Sequence, residues 1–243
     1  MAVRELMRSR IALILLLLIP TLFNLLIVLT TTDRPLAFKL ASVSEETFLQ
    51  VSERRESLIF IGGAAVGLLT SFLALSLIQK HAEVNRRLVL CGYKPWELIA
   101  SKLAVLLCVV VLVACYAAAI LRLFFQPERF AFVVLGFMFA GYVYGCYGLL
   151  VGSILKRELE GVLLIVLLAN IDAGWLQNPI YYADAQNKMI IRRLPAYFPS
   201  QVSMVSAFTD HSIFNPLIGS VVYGSILLLG ALLIYFWRMR IHR

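Results

Sequence analysis

Charged side chains are scarce in this chain. Asp, Glu, Lys and Arg make up only 15% of its 243 residues, against about 25% in an ordinary soluble domain. So few charges cannot cover the surface of a soluble domain of this length, and that class is excluded. Cysteine is also sparse: Cys91, Cys108, Cys115 and Cys146 lie in or beside apolar runs without a CxxC pair. Neither a zinc site nor a disulfide framework is indicated. Catalytic strings are missing too, with no HExxH, no GxSxG and no paired carboxylates inside an apolar run, while His81, His211 and His242 are dispersed. The chain has no GxxxxGK[ST] phosphate loop, so it does not bind ATP by that route. No Gly/Ser linker, acidic tail or tandem repeat divides it, and residues 1–243 read as one domain.

What the chain has in excess is hydrophobicity: 61% of residues are hydrophobic and the mean hydropathy is +0.87. A bilayer core of about 30 Å takes roughly 20 apolar residues as helix. Six runs qualify, at 11–30, 58–78, 103–121, 130–154, 161–177 and 216–237. The first follows Arg4, Arg8 and Arg10 as a signal peptide would, but it is too long and ends in Thr30, Thr31 and Thr32 without a small-residue cleavage site. It is expected to stay attached as a span. The fifth is interrupted by Asn170 and Asp172. Between the fifth and sixth lie Pro179, Pro195, Pro199 and Pro216, and residues 194–208 are apolar but too short to cross, which predicts a re-entrant or interfacial helix. The loop over 33–56 sets Glu45, Glu46, Glu53, Arg54, Arg55 and Glu56 around Phe48, Leu49 and Val51, predicting an amphipathic surface helix. The expected fold class is an all-α integral membrane protein with six transmembrane helices.

Six spans put both termini on one side. That side collects 13 of the 22 basic residues and 5 of the 14 acidic ones, and the other side is neutral with 9 of each. The whole net charge of +8 therefore lies beside the termini, and the positive-inside rule makes that side cytoplasmic. Membrane lipid and topology account for the basic excess, and no nucleic acid is required.

Three groups of residues stand out. In the loop over 79–102, a helix over 81–90 places Val84 and Leu88 on one edge beside a charged face; Gly92 is positioned to stop it, and Pro95 suits the first turn of the next helix. Such a helix either holds phospholipid headgroups or docks a cytoplasmic partner. In span four, Gly141, Gly145, Gly148 and Gly152 share one helical face, serving either packing within the bundle or a dimer interface. Asp172 lies about 16 Å into span five at roughly 1.5 Å per residue, where an ionised carboxylate costs about 2.5–3.5 kcal/mol. It faces a cavity or partner unless the span ends early and leaves it interfacial. Asn24 and Asn170 either line the same route or serve helix packing.

The order Glu83, Arg86, Arg87, Leu88, Leu90, then Gly92, Pro95, Trp96 and a Ser101-Lys102-Leu103 entry into the third span resembles permeases of type-2 ATP-binding-cassette (ABC) transporters. Ser101 stands where that family usually has a Gly before the Lys. The resemblance extends to cytoplasmic termini, six spans and a Pro-containing outer hairpin over 194–208. It implies a cytoplasmic coupling helix between spans two and three, with Glu83, Arg86, Arg87, Leu88, Leu90, Gly92, Trp96 and Lys102 coupling to a separate ABC ATPase subunit. ATP and Mg would be bound by that partner, with no cofactor, metal or catalytic residue in this chain. It further implies a short outer re-entrant hairpin with Pro195 and Pro199 as gate, a translocation route carrying Asn24, Asn170 and Asp172, and pairing with a second copy or a related permease. The family's N-terminal amphipathic helix would fall on Arg4 through Arg10 in abbreviated form. The implied function is export of an amphipathic lipid, peptide or drug from a multi-pass subunit in the plasma membrane, of the bacterial inner-membrane kind. The alternatives are an integral-membrane enzyme and a membrane assembly factor without transport.

Overall fold

The computed structural model describes residues 10–40, 48–80, 88–89, 91–155, 157–176 and 187–241. The chain folds as helices α1 (Arg10–Thr30), α2 (Glu53–Gln79), α3 (Pro95–Phe124), α4 (Phe130–Ile154), α5 (Glu158–Ala169), α6 (Lys188–Ile191), α7 (Tyr197–Phe208) and α8 (Phe214–Ile241). Four helices, over Glu53–Gln79, Trp96–Phe124, Phe130–Ile154 and Phe214–Arg238, are long and apolar enough to cross a membrane. The protein is thus a largely helical, multi-pass membrane protein. The described apolar part of α1, Ile14–Thr30, is shorter, and α5 has 12 residues before it continues into a π-helix over Asn170–Leu176.

The expected surface helix over 33–56 is corrected by the structure. Two strands, β1 (Pro35–Lys39) and β2 (Phe48–Ser52), form an antiparallel hairpin that pairs Leu36 with Val51 and Ala37 with Gln50. Leu49 and Val51 are two residues apart, which puts them on one face of a strand but on opposed faces of a helix. Both pack against the core cluster that contains Ile59 and Val113, and that burial selects the strand. Glu45 and Glu46 lie outside the described residues. Arg54 and Glu56 belong to the first turns of α2, which begins five residues before the apolar run; its acidic Glu53 and Glu56 suit the positive end of the helix dipole.

Helices α2 and α4 make the central pair. Helices α3, α7 and α8 pack on α4, while α1, α3 and α5 pack on α2. Glycine permits this closeness. A Cβ on Gly67 would fall 2.9 Å from the Tyr144 ring, one on Gly141 would fall 2.9 Å from Val110, and one on Gly148 would fall 2.8 Å from the Ser71 backbone. Gly145 faces Leu106, and Gly152 faces Leu75 and Ile78. The four-glycine stripe of α4 is therefore covered by α2 and α3 of its own chain. Thr70 Oγ1 adds a contact to the Gly141 carbonyl oxygen at 3.1 Å.

Helix α7 falls within the apolar stretch over 194–208. Twelve residues give it a length of about 18 Å, too short for a span, and Val202 to Ala207 are all buried against α4, α2 and α8.

The two ends of the bundle are closed by the same chemistry. At the end opposite the β-hairpin, polar side chains satisfy helix C-terminal carbonyls. Lys102 Nζ donates to Leu77 O at 2.7 Å, Arg238 Nη1 to Ser153 O at 2.9 Å, and Gln79 Nε2 to Leu155 O at 3.1 Å. These carbonyls lack partners within their helices and carry partial negative charge, so cations fit them. At the hairpin end, Arg54 Nε and Nη2 do the same for Thr31 O, at 3.1 and 3.0 Å.

Candidate functional site

The site is built where α5 passes into the π-helix. A π-turn widens the helix by a residue and re-aims the side chains around it, a distortion frequent at functional sites. Here it begins at Asn170, two residues before Asp172. Asp172 is fully buried, and its Oδ2 accepts hydrogen bonds from Tyr144 Oη at 2.7 Å and from Ala196 N–H at 2.7 Å. Both are short, as suits an oxygen acceptor that must be satisfied out of water. Ala196 is the residue that precedes α7, so its N–H belongs to the unsatisfied first turn of that helix. A carboxylate at this point also meets the positive end of the α7 dipole. One side chain thus joins the π-helix, α4 and α7. Asp172 is therefore turned into the bundle and away from its outer surface.

Beside this junction lies a cavity of about 280 Å³ between α1, α2 and the α5–π-helix unit. Phe23, Phe60, Leu68 and Val166 give it apolar walls, and Glu56 and Asn170 are its polar members. Glu56 is only 3% exposed. Ser57 Oγ reaches its Oε2 at a long 3.4 Å, and its Oε1 has no hydrogen-bond partner among the described residues.

The three residues expected on a shared route are not brought together. Asn170 lines the cavity, with its Nδ2 donating to Val166 O at 2.9 Å. Asp172 is turned into the bundle. Asn24 is buried and donates to Pro20 O within its own helix at 2.9 Å, and it does not line the cavity. Pro195 and Pro199 are buried around the same junction as Asp172, and Pro199 lines a second void of about 20 Å³ with Tyr144, Ala173 and Ala196.

At the far end of the bundle, Gly92 has φ +97°. Its N–H bonds Val89 O and the Tyr93 N–H bonds Leu88 O, both at 3.1 Å. This is the closure that a glycine in the left-handed region gives to a helix C-terminus, and Pro95 opens α3 in its first turn. Leu88 is half-buried, and Tyr93 and Trp96 are exposed. Lys102 was expected at a partner surface but is buried against the α2 C-terminus, because the Leu77 carbonyl lies within its reach. Glu83, Arg86, Arg87 and Leu90 lie outside the described residues.

Two residues escaped the sequence reading. Tyr144 carries no signal of its own between the glycines of α4, and its partner 28 positions away is visible only once α4 and the π-helix meet. Glu56 was assigned to a surface loop; its signal was an acid one turn into an apolar helix, which also marks any ordinary helix start. Among the described residues, no group of three His, Cys, Asp or Glu side chains is arranged to hold a metal. No protein-family model matches the chain, and a comparison with curated proteins finds no match.

Proposed function

We propose that this chain is the transmembrane subunit of a type-2 ABC transporter, exporting an amphipathic substrate under the drive of a separate ATPase. The observation that supports this best is the position of α7: a buried helix too short to span, placed immediately before the last long helix, and fastened to the fifth helical segment through Asp172. In the proposed arrangement α1 and α5 with its π-helix complete six spans, and the termini are cytoplasmic in a bacterial-type plasma membrane. The helix that closes at Gly92 is the coupling element. Exposed Tyr93 and Trp96, together with Arg86 and Arg87, meet the ATPase. ATP and Mg belong to that partner. Two permease chains, identical or related, complete the transporter.

The mechanism then rests on rigid coupling. ATPase closure pushes the turn at Gly92, and α2 and α3, which flank it and are pinned to each other by Lys102, move as one body. Motion of α2 against α5 changes the width of the cavity between them. The α7 segment follows through Asp172 and acts as the gate at the outer side.

The test is co-expression with candidate ABC ATPase subunits, measuring co-purification and ATP-dependent transport. R86E/R87E and W96A are expected to reduce assembly at least ten-fold. Undiminished assembly and transport in both variants would remove the docking claim. Hydrolytic activity of the purified chain alone would favour a membrane enzyme instead.

A further inference from the structure

We propose that the cavity between α1, α2 and the π-helix is a binding site for a cationic amphiphile, with Glu56 as counter-charge to an ammonium head group. This deepens the transport reading above and rests on it for the word substrate, but the binding claim stands on the cavity itself.

Three observations carry it. The cavity, about 280 Å³, has room for a head group and the first part of an alkyl chain, and Phe23, Phe60, Leu68 and Val166 offer that chain an apolar wall. Glu56 lines the cavity, is 97% removed from solvent, and has an oxygen with no donor among the described residues. Buried carboxyl groups are ordinarily paired, hydrogen-bonded or kept neutral, because an isolated charge is costly to desolvate, and a cationic ligand supplies the pairing. The cations nearest in sequence are committed elsewhere: Arg54 binds the Thr31 carbonyl, and Arg55 lies over the Phe125 ring at 5.5 Å.

The chemistry selects among ligands. An anionic head group would be repelled by the carboxylate. An uncharged one would gain the apolar wall but leave the charge uncompensated. An ammonium supplies both the missing donor and the charge, and two aromatic residues, Phe23 and Phe60, stand in the same lining. Amphipathic cations are therefore singled out from the broader class of amphipathic molecules.

The probes are dodecylammonium and dodecanol, which share a tail and differ in head-group charge. Binding is measured to the full chain in phosphatidylcholine nanodiscs, corrected for empty nanodiscs. The wild type is expected to bind dodecylammonium at least ten-fold more tightly than dodecanol. Glu56→Gln is expected to remove that preference while keeping dodecanol binding, which also reports an intact cavity. Ala169→Leu, which fills the cavity from α5, is expected to weaken both probes. Equal wild-type affinity for the two probes would overturn the proposal without any variant. So would a preference that survives Glu56→Gln or, should that variant not fold, undiminished binding of both probes in Ala169→Leu. No ATPase is needed for these measurements, so a failed binding result leaves the transport reading intact, and failed ATPase association leaves the binding result intact.

Discussion

The phenol of Tyr144 in the middle of α4 and the carboxylate of Asp172 in the π-helix are joined by a 2.7 Å hydrogen bond inside the bundle, and the same carboxylate oxygen holds the first turn of α7. Removing one partner of a buried bond leaves the other unsatisfied, at a cost of about 1–3 kcal/mol. Tyr144→Phe is accordingly expected to lower stability by that amount. Asp172→Ala, which abandons both donors, should cost more than Asp172→Asn, which keeps an acceptor oxygen. Thermal unfolding in detergent ranks the three; equal midpoints for Asp172→Ala and wild type would show that the junction holds nothing.

The glycine contacts of α4 with α2 and α3 predict an order among substitutions. A methyl at Gly148 meets Ser71 backbone, which cannot step aside, whereas a methyl at Gly145 meets the end of the Leu106 side chain at 3.4 Å. Overpacking of the first kind costs about 1–3 kcal/mol. Gly148→Ala should therefore lower the unfolding midpoint clearly and Gly145→Ala by much less. An equal response would mean that α2 and α4 separate easily.

Gly92 carries the left-handed turn, and a side chain there is strained by about 1 kcal/mol or more. An added Cβ meets nothing within 4 Å among the described residues, so the expected effect is backbone strain. Gly92→Ala and Gly92→Val should both fray the helix end, the branched residue more. Proteolysis of the loop is expected to speed up several-fold while the midpoint of global unfolding barely moves.

Two basic residues at one end of the bundle should behave differently. Lys102 donates to a helix terminus in a buried setting, and hydrogen bonds from charged groups contribute about 1.5–3 kcal/mol. Arg157 is 83% exposed and sits 3.9 Å from Glu160, a surface pair of the kind that contributes about 0–1 kcal/mol. Lys102→Met should destabilise markedly and Arg157→Ala should be near neutral, both read by thermal unfolding.

Much of the helical plan could be read from the chain because apolar runs and the residues that end them are local signals. The bounds of α4 coincide with the run over 130–154. Pro95 opens α3, and Gly92 closes the turn before it, because φ is fixed by the ring in one case and released by the missing Cβ in the other. The failures have a common cause in tertiary burial. Residues 48–52 carry enough charge around them to suggest an amphipathic helix, yet the core selects the strand because it takes Leu49 and Val51 on one face. Lys102 reads as a surface charge until the α2 carbonyls come within its reach. The partners of Asp172 lie 28 and 24 positions away, and Glu56 comes to share a cavity with α1 and α5 only when the helices assemble. No spacing rule along one helix connects such residues.

The lysine and arginine that close the ends of α2 and α4 also have a history within each molecule. A nascent chain presents Lys102 and Arg238 as hydrated cations, free to respond to the charge asymmetry of the insertion machinery and lipid. Once the helices assemble, Lys102 is 6% exposed and both cations are held by carbonyls. Any orienting pull they exert is therefore exerted early, and later they act as fasteners that resist withdrawal of a helix from the bundle. A charge-neutral replacement would be felt twice, first as mixed orientation among newly made chains and then as looser assembly in those correctly inserted.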